Sequence, residues 1–477
     1  MMNQTNQTET ASQSRRKWWV FLAVGIGTFM SALDSSVVNM ILPIIRQHFH
    51  SDVAMVEWTV VIYLLVVSSL LLSFGRVGDL RGHKSVYISG FVIFVTASMA
   101  CGLASSVGLL VAGRAIQALG AAMLLANSPA ILTKSFPPSQ RGQVLGMQAT
   151  MTYLGLTVGP SLGGWLTQSL GWRAVFYINV PVGLLAFLLS ICFIEAEKPE
   201  TSHNERFDWS GAFLFAVGLA TLLLGLNQGH AWGWTSLLTL ACLTGAVAVL
   251  VAFVLMELQM PSPMLDLSLF KKRIFSASTT SAVMNYICLY SVTFLMPFYL
   301  LQGRGFTPAH AGLLLTAQPL IMAVAAPISG ALSDRIGSRL LSTSGMAILA
   351  LGLFLLSRLG PDSSTGQILL SLAVAGLGTG IFISPNTSAL LGSAPRQRQG
   401  IASGILATAR NVGMVLGVGL AGAILTSITA HNGNASLFDA IRTGMLVAAA
   451  IAVIGVLVSS LRGNGKTLDV NHSTRAF

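Results

Sequence analysis

Val20–Leu42 reads VFLAVGIGTFMSALDSSVVNMIL, an apolar run in which Asp34 is the one ionisable side chain. As a helix rising 1.5 Å per residue the run is long enough to cross ~30 Å of hydrocarbon. An ionised carboxylate at the centre of such a helix costs at least ~2.5 kcal/mol, so it normally faces a watery cavity and has a task there. The first expectation is therefore a membrane transporter.

Composition points the same way. Apolar residues make up 53% of the chain and charged ones 9%, against roughly 25% charged in an average soluble domain. The mean hydropathy is +0.73. A water-soluble fold cannot hide that much apolar surface, and the 48 glycines and 16 prolines are better tolerated in membrane helices than in soluble ones. Cys101, Cys192, Cys242 and Cys288 all fall in apolar segments and read as small buried hydrophobes, without disulfide or metal spacing. The net charge of +11 fits loops held against the cytoplasm better than a nucleic-acid partner. The apolar run after the polar, basic stretch 1–17 is too long for a signal-peptide core and lacks a small-residue cleavage site, so it is expected to stay as the first span.

A window of about 19 residues finds fourteen apolar segments, near 20–42, 57–74, 86–104, 108–131, 143–168, 174–194, 209–227, 236–256, 277–301, 311–332, 340–357, 366–391, 401–427 and 440–461. With the N-terminus in the cytoplasm, 20 of the 27 Lys and Arg fall on the cytoplasmic side and 5 on the far side, while Arg114 and Arg410 stay within helices. That separation satisfies the positive-inside rule for an even number of spans with both termini inside.

The chain also repeats itself. Gly75-x-x-x-Asp79-x-x-Gly82-x-Lys84 recurs as Gly330-x-x-x-Asp334-Arg335-x-Gly337-x-Arg339, Gly120 with Ser128-Pro129 recurs as Gly376 with Ser384-Pro385, and Gly142-x-x-x-Gly146 recurs as Gly400-x-x-x-Gly404. Two homologous six-helix halves explain these matches. The expected organisation is a tail at 1–17, a six-helix bundle at 18–194, a cytoplasmic linker at 195–208, two inserted helices at 209–256, a cytoplasmic loop at 257–276, a second bundle at 277–461 and a tail at 462–477.

Several motifs carry a family resemblance. Gly75-Arg76-Val77-Gly78-Asp79-Leu80-Arg81-Gly82-His83-Lys84 resembles the signature loop between helices 2 and 3 of the major facilitator superfamily. Arg114-x-x-Gln117-x-x-Gly120-Ala121-Ala122 resembles its helix-4 motif, and Gly155-x-x-x-Gly159-Pro160-x-x-Gly163-Gly164 its helix-5 motif associated with antiporter-type exporters. Leu33-Asp34-x-x-Val37-Val38-Asn39-x-x-Leu42-Pro43, with Trp172-Arg173-x-x-Phe176-x-Ile178-Asn179-x-Pro181, looks like the fourteen-helix drug:proton antiporter branch. The resemblance covers roughly Trp18 to Leu461. It implies an all-α membrane protein of two six-helix bundles plus two extra central helices.

The residues themselves agree. In the helix 2–3 loop Gly75 and Gly82 permit a tight turn, and Asp79 can cap the next helix or pair with a cation; the resemblance makes this loop, with Asp334 and Arg335 in the second copy, a conformational latch. Gly155, Gly159 and Gly163 form one smooth helix face for close backbone approach, and Pro160 adds a kink. Asp34 and Arg114 have no charged counterpart in the second half, so the shared glycines and prolines read as scaffold and the unshared charges as function. A carboxylate in a low-dielectric cavity favours its protonated form and a nearby cation opposes that, so cargo or helix motion can move the proton on and off. Contact between Asp34 and Arg114 follows from the family arrangement alone. Asn39, Trp58, Tyr63, Tyr153, Tyr286, Tyr290, Phe294, Gln318 and Asn386 are candidate cavity residues, set against the common use of amides as helix–helix glue and of aromatics as packing. Glu57 is expected at a solvated span end and Arg410 to snorkel.

The expected function is proton-coupled export of an apolar or cationic small molecule by alternating access, with the proton gradient as energy source and no cofactor. No G-x-x-x-x-G-K-[ST] loop supports ATP-driven pumping, and the eight His lie outside the apolar cores, which argues against an integral-membrane enzyme and a metal site. Two rival readings stay open: a dedicated metabolite or nutrient transporter on the same scaffold, and a non-transporting receptor that would need no titrating group. Span 10 offers Gln318-Pro319 where resembling pumps for divalent cations often carry another acid, which points to monovalent or neutral lipophilic compounds. The partners expected are a small-molecule substrate, protons and the lipid bilayer, with no nucleic acid, for a monomer in the cell membrane.

Overall fold

The computed structural model describes residues 2–137, 140–195, 209–233, 235–258, 267–395, 399–429 and 435–462, so all of the expected linker but Glu195, and residues 259–266 of the expected 257–276 loop, lie outside the described residues. The first group of helices is α1 (Met2–His48), α2 (Val53–Arg81), α3 (His83–Gly102), α4 (Val107–Ser135), α5 (Arg141–Leu170), the short α6 (Ala174–Tyr177) and α7 (Asn179–Phe193). Then come α8 (Trp209–Trp232) and α9 (Leu237–Glu257). The last group is α10 (Arg273–Phe298), α11 (Pro308–Ile336), α12 (Ser338–Leu356), α13 (Thr365–Ser393), α14 (Gln399–Thr429) and α15 (Ala435–Ser460).

Helix ends follow local chemistry. The Asp52 carboxylate accepts from the Met55 amide at 2.8 Å to start α2, and Ser364 and Gln367 form a reciprocal capping box at the head of α13. Gly82 (φ +89°) and Gly337 (φ +87°) turn the chain from α2 into α3 and from α11 into α12. These are equivalent positions of the repeated motif, and a backbone with φ near +90° excludes a side chain at low cost.

Twelve stretches among the described residues are long and apolar enough to cross a membrane, which corrects the expected fourteen. The two that fall short are α5 and α8. α5 has the length, 30 residues, but Gly, Thr, Ser and Gln take many of the places that Leu and Val hold elsewhere; it lies between α1 and α11, where small residues serve close packing. In α8, a helix of 24 residues, the apolar stretch among the described residues is Ser210–Leu226.

The two groups pair their helices alike. α1 packs on α5 and α7, α3 on α4 and α2 on α4; correspondingly α10 packs on α14 and α15, α12 on α13 and α11 on α13. The groups meet along two seams, α2 with α14 and α5 with α11, and at α1 with α10. The apolar windows of α1 and α10 are each 72% buried, whereas that of α9 is 17% buried. α1 and α10 therefore form the centre, and α9, seated on α8, faces the surrounding apolar medium.

At the end of the bundle away from the chain termini, α5 and α11 touch backbone to backbone. A Cβ on Gly164 would strike the Pro308 carbonyl, and one on Gly312 would strike the Pro160 carbonyl. Arg46 Nη1 donates to Gln302 Oε1 at 3.2 Å and the Ala309 amide to Gln168 Oε1 at 3.3 Å at the same end. This end is closed.

Three further expectations change. Cys192 is exposed and Cys242 half-exposed, while Cys101 and Cys288 are buried; apolar segments also turn faces outward, and a thiol is apolar enough to sit there. Glu57 is 2% exposed, because it lies against Gly422 on the α2–α14 seam. Arg462, expected to begin a solvated tail, is buried and donates to Ser342 Oγ at 3.3 Å and to Asn386 Oδ1.

Candidate functional site

Asp34 on α1 and Arg114 on α4 meet in the interior of the first group, each 1% exposed. Arg114 Nη1 donates to Asp34 Oδ2 at 2.5 Å. The other carboxylate oxygen, Oδ1, accepts from Gln117 Nε2 at 3.0 Å and from Asn179 Nδ2 at 2.9 Å. Gln117 sits three residues after Arg114 on the same helix face and accepts from Arg114 Nη1 at 2.7 Å. Arg114 Nε donates to the Thr59 carbonyl at 3.0 Å, and Asn179 Nδ2 also reaches Ser98 Oγ at 3.0 Å. The Tyr63 ring covers the guanidinium, with its centroid 4.1 Å away.

A buried ion pair repays its desolvation only when its remaining hydrogen-bonding groups are satisfied. Five helices contribute to that here. The charged groups came from the sequence reading; Gln117, Asn179, Thr59 and Ser98 did not. Gln117 and Asn179 lie inside quoted motifs, and the i,i+3 spacing of Gln117 from Arg114 was the available signal.

The pair lies one side chain behind a cavity wall. A mid-depth cavity of about 180 Å³ is lined by Ser31, Ala32, Ser35 and Tyr63 from the first group and by Tyr286, Tyr290, Arg410 and Asn411 from the second, with Tyr153 of α5. It adjoins a larger cavity of about 710 Å³ nearer the terminal end, which shares Tyr153, Tyr286 and Arg410 and adds Asn386. Toward the closed end a smaller cavity of about 70 Å³ is lined by Asn39, Pro160, Tyr290 and Gln318. Ser35 Oγ and Tyr290 Oη, 3.3 Å apart, link the two groups beside Asp34. The Tyr63 hydroxyl is buried with no hydrogen-bond partner.

Of the candidate cavity residues, Asn39, Tyr63, Tyr153, Tyr286, Tyr290, Gln318 and Asn386 line these spaces. Phe294 and Trp58 do not. Phe294 is fully buried against Phe298, ring centroids 5.3 Å apart, and Trp58 packs on the core; helix rotation turns both away. Gly155, Gly159 and Gly163 lie against Phe29, Ser36 and Val37 of α1, so this face holds α5 to the helix that carries Asp34. Asp79 lies 3.4 Å from His83 Nε2 and 3.9 Å from Arg76 Nη1, next to the Gly82 turn. Gly75 meets open space, Arg335 is exposed in the last turn of α11, and the Asp334 side chain lies outside the described residues.

Comparison with known proteins agrees with this architecture. Residues 24–270 and 278–474 match the family model described as Major Facilitator Superfamily. A riboflavin transporter of Clostridioides difficile is 33% identical over 454 residues, 93% of this chain and 97% of the relative. A multidrug resistance protein of Mycobacterium tuberculosis is 32% identical over 415 residues, 87% of this chain and 77% of the relative. Among solved structures, a bacterial homologue of the human lysosomal transporter Spinster, in an inward-facing and unoccupied conformation, superposes with a TM-score of 0.67 at 15% identity over 94% of this chain and 97% of that one. The chain is thus a multi-pass membrane transporter and not an enzyme, and it belongs to the Major Facilitator Superfamily.

Proposed function

We propose that this transporter is a proton-coupled exporter of lipophilic small molecules, working by alternating access between its two helix groups. The observation that carries the reading is the Asp34–Arg114 pair, hydrogen-bonded on every side and separated from the cavity between the groups only by Tyr63 and the α1 serines. Opening that wall admits water to Asp34; closing it returns the carboxylate to a low dielectric, where its proton affinity depends on how close Arg114 stays. Loading and release of the proton then follow the rocking that exposes the cargo cavity to one side or the other. One charge moving through 100 mV is worth ~2.3 kcal/mol, about a fifty-fold gradient, so no nucleotide is required.

With the basic terminal end in the cytoplasm, as the positive-inside rule asks, the wide cavity faces inward and the α5–α11 contact seals the outside. A relative described as a multidrug resistance protein supports broad lipophilic cargo. A second reading, a dedicated transporter of one aromatic metabolite, is favoured by the riboflavin-transporting relative.

The test uses purified protein in liposomes with an imposed pH gradient. Proton flux should appear on adding a lipophilic substrate and be absent in Asp34→Asn; equal flux in both proteins would refute the coupling role of Asp34.

A further inference from the structure

Arg410 sits eleven residues into α14, ~16 Å along the helix from its start at 1.5 Å per residue. It lines both the mid-depth and the larger cavity. Its Nε is buried with no hydrogen-bond partner, and no ion pair joins it to a carboxylate among the described residues. Around it stand Tyr153, Tyr286, Tyr290 and Asn411. Among the described residues, no Asp or Glu lines any of the three cavities. The Asp34 carboxylate is behind Tyr63 and already neutralised by Arg114 at 2.5 Å.

A guanidinium in a cavity without an anion is held at a cost unless a ligand supplies acceptors. Its planar fork of donors fits a carboxylate or another two-acceptor edge, while tyrosine rings offer faces and edges to a flat aromatic body. A ligand with a fixed positive charge could use the same ring faces, but it would lie beside Arg410 with no counter-charge. We infer that the central cavity is a binding site for planar aromatic anions, with Arg410 as the residue that recognises the anionic edge, and that permanently cationic compounds are disfavoured there. This rests on the cavity being the cargo site, as proposed above, and replaces the expectation of cationic cargo.

The charge arrangement has a mechanistic consequence. Proton and cargo do not compete for one carboxylate, so neutralising Asp34 removes no attraction for the cargo; coupling runs through helix positions instead. Export of one anion against entry of one proton moves two elementary charges per cycle, compared with one for a neutral cargo.

The experiment measures binding of three matched probes to the purified full-length protein at neutral pH: 2-naphthoate, 2-naphthamide and 2-naphthyltrimethylammonium. A charge-assisted hydrogen bond corresponds to roughly one to two decades in affinity, so naphthoate should bind about tenfold tighter than the amide and tighter still than the ammonium. Arg410→Gln should bring the naphthoate-to-naphthamide ratio to about one, Arg410→Lys should retain part of it, and Asp34→Asn should not lower it. The inference is overturned if the ammonium binds best, if naphthoate shows no binding up to millimolar concentration, or if Arg410→Gln keeps the wild-type ratio. Should Arg410→Gln fail to fold, the ranking of the three probes on wild type still decides. Failure here with Asp34-dependent proton flux intact removes only the anion preference; an Arg410-dependent naphthoate preference with proton flux indifferent to Asp34 removes only the coupling.

Discussion

Removing either charge of the Asp34–Arg114 pair should destabilise the fold, and removing both should cost little more than removing one. In Asp34→Asn the guanidinium keeps the Thr59 carbonyl and the Gln117 side chain as acceptors but loses its anion. Breaking a buried pair from one side costs 3–5 kcal/mol; because the new amide oxygen can still accept from Gln117 or Asn179, the lower end, ~3 kcal/mol, applies. Arg114→Gln leaves the carboxylate with the Gln117 and Asn179 donors, and ~3 kcal/mol is again expected. Independent losses would sum to about 6 kcal/mol, but the double variant holds no isolated charge, so a coupling of about 3 kcal/mol should appear in the cycle. At about 1 °C per kcal/mol for a chain of this size, each single variant should melt ~3 °C below wild type and the double variant no lower than about 4 °C below. Intrinsic tryptophan fluorescence on heating in detergent reads this directly. A double variant that melts ~6 °C below wild type, the sum of the singles, would refute the idea that the two side chains stabilise one another.

Other substitutions probe the wall and the seal. Tyr63→Phe should be tolerated and as stable as wild type or slightly more so, because the hydroxyl it removes is buried without a partner. Tyr63→Ala uncovers Arg114 and should let an imposed pH gradient decay without cargo; a gradient as durable as that of wild-type liposomes would contradict the gate. Gly312→Val drives a side chain into the Pro160 carbonyl and should loosen the closed end, raising the labelling rate of a cysteine placed at Gln318 by an outside-added thiol reagent at least severalfold. An unchanged rate would mean that the α5–α11 contact is not the seal.

Much of this molecule was legible in its sequence, for identifiable reasons. A lone acid in a long apolar run is costly enough to mark itself, and Asp34 and Arg114 stood out on that ground before any contact was visible. The repeated glycines located matching turns, and Gly82 and Gly337 adopt almost the same backbone angle. What spacing does not supply is rotation and depth. Phe294 and Trp58 carry the right side chains on the wrong helix face. Spacing gives Arg410 no cavity role, because a linear sequence does not say that α14 lines a cavity at that depth. Gln117 and Asn179 stand in the quoted motifs as pattern residues, and neither pattern shows that both address a single carboxylate. α5 is counted as an apolar segment at 143–168, yet it is less apolar than its neighbours because a helix enclosed by α1 and α11 needs small residues more than greasy ones.

α8 has a consequence for how such a molecule can move. It lies against α2 and α14 together, the two helices that form one seam between the groups, whereas the opposite seam, α5 with α11, has no such helix bridging it among the described contacts. Prising α2 from α14 means peeling α8 off one of them, like opening a book against its binding. The two flanks are thus unequal doors to the bilayer, and a lipid-dissolved cargo entering sideways would meet the bound spine on one flank and the free page edges on the other.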